Sequence, residues 1–328
     1  MDEFLARMPK VELNVHVEGT LEPEMLARLA EKNGVDVPIP DGAFTDLTSF
    51  LGQYYPAMQA LVTKNDFYDL AYAYLAKASS QNIVHAELFF DPQAHTSRGI
   101  PFADVITGYW EATVDAEREF GIHSSLILCF LRDHSVESAE QTLSDALPYR
   151  DWIIGVGLDS DERDNPPTKF AAVFERARGA GLHLTMHCDV DQQNSIEHIR
   201  QVIEEIGVER IDHGTNILED ARLTDLAIER GIGFTSCPLS NGIVSEGMKA
   251  AEVVTLLRRG AKVTIASDDP AYFGGYLTEN LQALAAVTDL TRAEFVQLQR
   301  NAIEISWITA AERASFVVLL DAYAATAP

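Results

Sequence analysis

Imidazole and carboxylate side chains follow several short apolar segments that lie far apart in the chain. His16, His187 and His213 each come at or just after such a segment, and Asp268 and Asp269 follow another. Imidazole and carboxylate are the ligands that a hydrolytic Zn²⁺ site uses. A lone histidine at the end of a strand is usually an ordinary hydrogen-bonded residue. The coincidence at four segment ends instead predicts one shared catalytic site, if the fold brings those ends together.

Apolar stretches of strand length alternate with amphipathic helical stretches along the 328 residues. Eight strands are predicted, over residues 11–17, 83–90, 123–130, 152–158, 182–187, 209–213, 232–237 and 262–267. Helices are predicted between them, for example over residues 22–32, 102–120, 169–178, 195–206, 224–230 and 250–259. Eight strand-then-helix units indicate an α/β fold, a closed parallel (β/α)8 TIM barrel that forms a single domain over residues 1–328.

Active sites of such barrels lie at the carboxyl ends of the strands, where the five imidazole and carboxylate residues are expected to meet.

Two segments depart from the regular alternation of strands and helices. A helical stretch over residues 45–63 is inserted after the first strand, and a helical tail runs from residue 292 onward. The inserted stretch is either a lid over the pocket or extra packing against the barrel wall.

The chain is strongly acidic, with a formal net charge of −25. A negative field repels polyanions, so nucleic acid and anionic membranes are not expected partners, whereas a small-molecule substrate is. The first ten residues do not resemble a signal peptide, no apolar run has the length of a membrane span, and the three cysteines form no Cys-x-x-Cys pair. We therefore expect a cytoplasmic protein, and a homo-oligomer is compatible with these features.

Several longer strings resemble the adenosine and adenine deaminases of the amidohydrolase superfamily, closest to the adenine deaminase branch. They are residues 8–13 (MPKVEL), 16–21 (HVEGTL), 87–93 (ELFFDPQ), 157–160 (GLDS), 210–214 (RIDHG), 237–241 (CPLSN) and 267–275 (SDDPAYFGG). The resemblance spans nearly the whole chain. It implies a metal-dependent hydrolase that replaces the 6-amino group of adenine, or of a related and even N6-substituted 6-aminopurine, by oxygen.

The resemblance also implies a role for individual residues. In that family Zn²⁺ is held by a His-x-His pair, a histidine after strand five and an aspartate after strand eight. The matching positions here are Asn14, His16, His187 and Asp268. His213 and Asp268 would activate the water that attacks C6, and Asp269 would hold purine N7. Fe²⁺ is the alternative metal, and the expected substrate contacts beside Asp269 are Asp159, Glu162 and Glu18.

Two positions depart from the family pattern. Asn14 stands where the first histidine of the pair is expected, and a neutral amide oxygen is a poorer zinc ligand than imidazole, so the metal is weakened or lost. Val190 stands where the family carries the glutamate that protonates purine N1, and valine cannot transfer a proton. Asp189 is the predicted replacement for that proton donor. The acids of residues 159–162 can equally be solvated groups before the Pro166–Pro167 turn.

Two other functions remain open on the sequence. The first is a metal-free barrel in which the His/Asp cluster performs acid–base chemistry near pH 7 on another heteroaromatic substrate, as a lyase, isomerase, cyclase or hydrolase. The second is an inactive purine-binding homologue, in which Asn14 and Val190 record the loss of activity.

Overall fold

The computed structural model describes residues 1–188, 190, 194–245 and 247–326. Eight strands pair in parallel in the order β1 to β8. The strands are β1 (Lys10–His16), β2 (Ile83–Phe90), β3 (His123–Leu131), β4 (Ile153–Asp159), β5 (His183–Cys188), β6 (Arg210–His213), β7 (Gly233–Ser236) and β8 (Lys262–Ile265). A parallel bridge between Val15 and Asp268 joins the end of the sheet to its beginning. The predicted barrel is confirmed.

Helices connect consecutive strands and cover the outside of the barrel. They are α1 (Asp2–Arg7), α2 (Pro23–Asn33), α3 (Leu47–Ala57), α4 (Lys64–Ser80), α5 (Pro92–Thr96), α6 (Phe102–Phe120), α7 (Val136–Ala146), α8 (Ala171–Gly179), α9 (Ser195–Arg200), α10 (Ala221–Arg230), α11 (Pro238–Val244), α12 (Ala250–Arg258), α13 (Pro270–Phe273), α14 (Leu277–Val287), α15 (Arg292–Ile305) and α16 (Ala310–Thr326). Among the described residues, no helix combines the length and apolar character needed to cross a bilayer.

The strands are buried on both faces, and in β1 polar side chains alternate with apolar ones. All seven residues of β1 are buried, as expected for a parallel strand with side chains inside the barrel and helices outside. Helix α6 has the predicted bounds and ends at Gly121, whose φ of 70° is the left-handed cap conformation. The helix predicted over residues 195–206 divides instead, because α9 ends at Arg200 and a π-helical turn continues to Ile206.

The inserted helix and the carboxyl-terminal tail lie at opposite ends of the barrel. Helix α3 lies over the carboxyl ends of the strands, where Phe50 and Tyr54 line a cavity. The segment after α15 closes the other end with Trp307. A Cβ added at Gly155 in β4 would lie 2.6 Å from the Trp307 ring, so only glycine leaves room for this closure. The predicted insertion after the first strand and the predicted helical tail are both confirmed.

Candidate active site

Four residues from four strand ends meet at one cavity in the mouth of the barrel. His16 ends β1, His187 lies in β5, His213 ends β6 and Asp268 follows β8; all four are buried and line the cavity. One ligand atom from each of His16, His187 and Asp268 lies within 4.8 Å of the others. The structure therefore brings together the residues whose spacing suggested a shared site.

The two histidines have the geometry of metal ligands. Their Nε2 atoms are 3.1 Å apart, close to the separation of about 3.3 Å between two nitrogens on a tetrahedral Zn²⁺. Behind each ring, 3.5 Å from Nδ1, lies a carboxylate oxygen: Asp159 Oδ2 behind His16 and Asp212 Oδ2 behind His187. Metal-bound histidines commonly direct their second nitrogen to such a group, which fixes the ring and raises its basicity.

The surroundings of His187 also favour metal binding. Burial lowers the pKa of His187 well below its usual value, and the neighbouring rings of His16 and His213 lower it further. The imidazole is therefore neutral, which is the protonation state that binds a metal ion.

Hydrogen bonds fix the orientation of the Asn14 amide. Thr235 Oγ1 donates to Asp212 Oδ1 over 2.9 Å, so its hydrogen is used, and it accepts from Asn14 Nδ2 over 3.2 Å. This arrangement leaves Asn14 Oδ1 buried without a hydrogen-bond partner in the described part of the chain. The orphaned atom is an oxygen with free lone pairs. The donor set of His16, His187 and Asp268 fits a divalent metal ion.

His213 is positioned as a base. Its Nδ1 lies 2.8 Å from Asn241 Oδ1, an acceptor, so the proton resides on Nδ1 and Nε2 carries the lone pair. Nε2 is 3.7 Å from Asp268 Oδ2, which accepts from Ser240 Oγ over 2.6 Å. Both His213 and Asp268 have positive φ angles, 62° and 64°. Non-glycine residues take this strained conformation at few positions, often in active sites.

Asp269 is packed against the backbone of the loop that follows β1. A Cβ on Gly19 would lie 2.1 Å from Asp269 Oδ1, so this close approach requires glycine. Burial raises the pKa of Asp269 well above its usual range, and the adjacent charge of Asp268 raises it further. Asp269 lines the cavity beside Asp268, as the sequence predicted.

Apolar side chains form the roof of the cavity. Phe50 and Tyr54 from α3 pack with Phe273, Val190 and Val244 in one buried cluster. The cavity is partly open to solvent and holds about 40 Å³ of space for water-sized molecules. Helix α3 borders it through Phe50 and Tyr54.

The remaining predicted site residues differ in their placement. Asp159 and Glu162 line the cavity. Glu18 is absent from the lining: its Oε1 accepts from His95 Nε2 and Tyr109 Oη, both over 2.9 Å, and from the backbone of Asp91. Asp189 lies outside the described residues.

Sequence reasoning missed Asp91 and Asp212. Asp91 follows β2, lines the cavity next to Asp159, and has a pKa raised well above the usual range by burial and by the charge of Asp159. The pKa of Asp159 is raised as well, chiefly by burial. The position of Asp91 at a strand end was a usable signal. No signal in the sequence pointed to Asp212, because its role depends on its approach to His187 and, through Thr235, to Asn14.

A TIM barrel with a histidine and aspartate ligand set at its mouth defines the class of metal-dependent hydrolase barrels. The family model for adenosine deaminase matches residues 9–323. The chain belongs to the adenosine deaminase family.

Relatives span the whole chain. An uncharacterized deaminase of Schizosaccharomyces pombe is 49% identical, covering 99% of this chain and 98% of the relative. Adenine deaminase of Trichlorobacter lovleyi is 45% identical, covering 98% of this chain and 95% of the relative. The predicted family is confirmed.

Two solved structures share the fold. Adenine deaminase from Arthrobacter aurescens superimposes with a TM-score of 0.93 at 37% identity, over 97% of this chain and 100% of that one. An amidohydrolase from Burkholderia ambifaria, solved with bound zinc, gives a TM-score of 0.88 at 26% identity, over 99% and 94%.

Proposed function

We propose that this protein is an aminohydrolase that converts adenine, or a closely related 6-aminopurine, to the 6-oxopurine and ammonia. The observation that carries the proposal is the convergence of His16, His187, His213 and Asp268 on one cavity. Family membership supports it, because relatives at 43–45% identity over nearly the whole chain are named adenine deaminases.

We propose that His16, His187 and Asp268 hold Zn²⁺, with Fe²⁺ as the alternative, and that Asn14 Oδ1 completes the set. A divalent ion held there lowers the pKa of a water molecule from its bulk value toward neutrality. The amide donor supplies less electron density than an imidazole, so we expect weaker metal binding than a full histidine set would give.

The chain's own residues would carry the proton transfers and position the ring. His213 Nε2, with its lone pair free, is placed to take a proton from the attacking water, while Asp268 orients that water. Asp269 would hold a ring nitrogen, and Phe50 and Phe273 would cover the ring and exclude solvent. Asp159 and Glu162 would contact the substrate from the β4 side. Glu18 would act through Asp91, whose backbone nitrogen donates to it.

Ammonia release and metal content test the proposal together. Purified protein, expressed without a chelating tag, should carry about one zinc or iron ion per chain and should release ammonia from adenine with the spectral change to hypoxanthine. N6-substituted adenines in the same panel would define the leaving group. Inactivity toward all 6-aminopurines in excess zinc would overturn the proposal, and activity without any metal would favour acid–base chemistry by the His/Asp cluster alone.

Replacing Asn14 tests the ligand set directly. Asn14→His should tighten metal binding by roughly 10- to 100-fold, since imidazole is the stronger donor. The measurement is the metal retained during dialysis against graded chelator. Unchanged or weaker retention would show that Asn14 is not a ligand position.

A further inference from the structure

The proposed reaction requires an acid that the metal set does not provide. When water adds to C6, an electron pair moves from the C6–N1 bond onto the ring nitrogen, which must gain a proton. From the geometry of the described residues we infer that Glu162 is this acid. The inference rests on the proposed function.

Glu162 lies in the loop after β4 with its carboxyl group inside the cavity wall. Its exposure is only 1%, and it lines the cavity. Oε1 accepts from the backbone nitrogen of Val190 over 3.3 Å, and Oε2 is buried without a hydrogen-bond partner within the described ranges. A buried carboxyl oxygen with no partner is costly unless a ligand uses it. The carboxyl group, which accepts at Oε1 from the backbone of Val190, thus lies next to a side chain that cannot donate a proton.

The other carboxyl groups of the cavity have different neighbours. Asp268 belongs to the ligand set, and Asp269 is packed against Gly19. Asp159 lies behind His16, with Oδ2 3.5 Å from Nδ1, and Asp91 is next to Asp159. Glu162 instead has the Val190 backbone, His198 and Arg132 as its nearest polar neighbours.

Glu162 also borders a second cavity, on the outer side of the loop. That cavity has a volume of about 360 Å³ and is lined by Glu162, Asn194, Glu197 and His198, among others. His198 Nδ1 lies 3.8 Å from Glu162 Oε2, and Arg132 Nη1 lies 4.0 Å from Oε1. The Glu162 carboxyl group therefore lies between the cavity at the barrel mouth and a larger cavity on the outer side of the loop.

With Glu162 as the acid, every proton transferred in the reaction is accounted for. In its protonated form, Glu162 would give its proton to N1 as the C6–O bond forms, and His213 would take one proton from the water. The proton on His213 passes to the amino group, the C6–N bond breaks and ammonia leaves. The added oxygen gives its remaining proton to the Glu162 carboxylate as it becomes the 6-oxo group. Both residues return to their starting states.

The test compares Glu162→Gln with Asp161→Asn. Both changes remove an acid from the same loop, but Asp161 is paired with Arg163 and does not line the cavity. We expect Glu162→Gln to lower kcat for adenine by roughly 10²- to 10⁴-fold, the usual contribution of a general acid, with unchanged metal content and thermal unfolding. Asp161→Asn should remain near wild type. The loss should be of similar size for 6-chloropurine, because N1 must gain a proton whichever group leaves C6.

Rescue at Val190 separates proton donation from a structural role. In the Glu162→Gln background, Val190→Glu should recover at least about tenfold in kcat, whereas Val190→Gln, of the same shape, should not. Wild-type kcat in Glu162→Gln, or a comparable loss in Asp189→Asn with none in Glu162→Gln, would overturn the assignment. A wild-type protein inactive on every 6-aminopurine would instead overturn the proposed function, and the role of Glu162 with it.

Discussion

The two ends of the barrel bury carboxyl groups in different ways. At the closed end, Arg210 Nη1 is hydrogen-bonded to Glu87, whereas Arg210 Nε and Nη2 have no hydrogen-bond partner in the described chain and the guanidinium lies 3.7 Å from the centre of the Trp307 ring. Glu87 also accepts from the backbone of Trp307 over 2.6 Å and pairs with His85. At the mouth, several buried polar atoms have no partner in the described chain, namely Asn14 Oδ1, Glu162 Oε2, His187 Nδ1, His213 Nε2 and Asp269 Oδ1.

This difference separates stability from function. A buried carboxylate that meets a guanidinium and two further donors has most of its lost hydration replaced. Polar atoms left open at the mouth carry a desolvation cost that only a ligand can remove. Sites that bind and react are commonly built at the expense of stability. We therefore expect substitutions at the mouth to change activity and those at the closed end to change folding.

Asp268→Asn should give the largest effect. Loss of an anionic ligand should lower kcat/KM for the 6-aminopurine by about four orders of magnitude, several kcal/mol of transition-state stabilisation. The metal-free variant should be as stable as wild type or more so by about 1 kcal/mol, because one of two adjacent buried carboxylates is removed. Denaturant unfolding in chelator measures this. A large loss of stability would contradict the contrast between the two ends.

Glu87→Gln tests the closed end. It should destabilise the fold by roughly 3–5 kcal/mol, because Arg210 stays buried without its carboxylate, while kcat of the folded fraction is retained. Burial alone would raise the pKa of Glu87, but the charge of Arg210 and the His85 hydrogen bond lower it to about 2, below the ordinary 4.5.

The sign of the pH effect follows from that lowered pKa. The stability that Glu87 provides is fully present above pH 4.5 and is lost as the pH falls from 4.5 toward 2. Across this pH window, the free energy of unfolding should change more steeply with pH in wild type than in Glu87→Gln. Equal pH dependence in both proteins would show that Glu87 is not the titrating group.

Of the three variants, Phe50→Ala should have the smallest effect, and that effect should be on substrate binding. Phe50 packs on Phe273, with ring centres 4.7 Å apart, and lines the cavity. Its removal should raise KM by about tenfold with a smaller change in kcat, because contact with the ring is lost. Phe44→Ala is the matched control, since Phe44 packs on both rings but does not line the cavity. An equal rise in KM for both variants would point to loosening of the whole cluster.

Local patterns in the sequence predicted much of this molecule. The bounds of β2 and α6 agree with the prediction, because each is a long, regular apolar pattern with a clear end. The ligand candidates His16, His187 and Asp268 could be found because barrel strands carry active-site residues at their carboxyl ends. The lid could not be decided, since either face of an inserted helix can pack inward.

Residue identity and spacing determined the barrel, the family and the candidate metal ligands, since these depend on short-range periodicity and on motifs at strand ends. Only the tertiary structure decided that the Asn14 oxygen is unpaired, that Glu18 lies behind the cavity and that Glu162 lies at its wall. The physical reason is the distance along the chain over which these contacts form. Asn14 is oriented by Thr235, a residue 221 positions away, and such a hydrogen bond exists only once the strands have closed into a barrel.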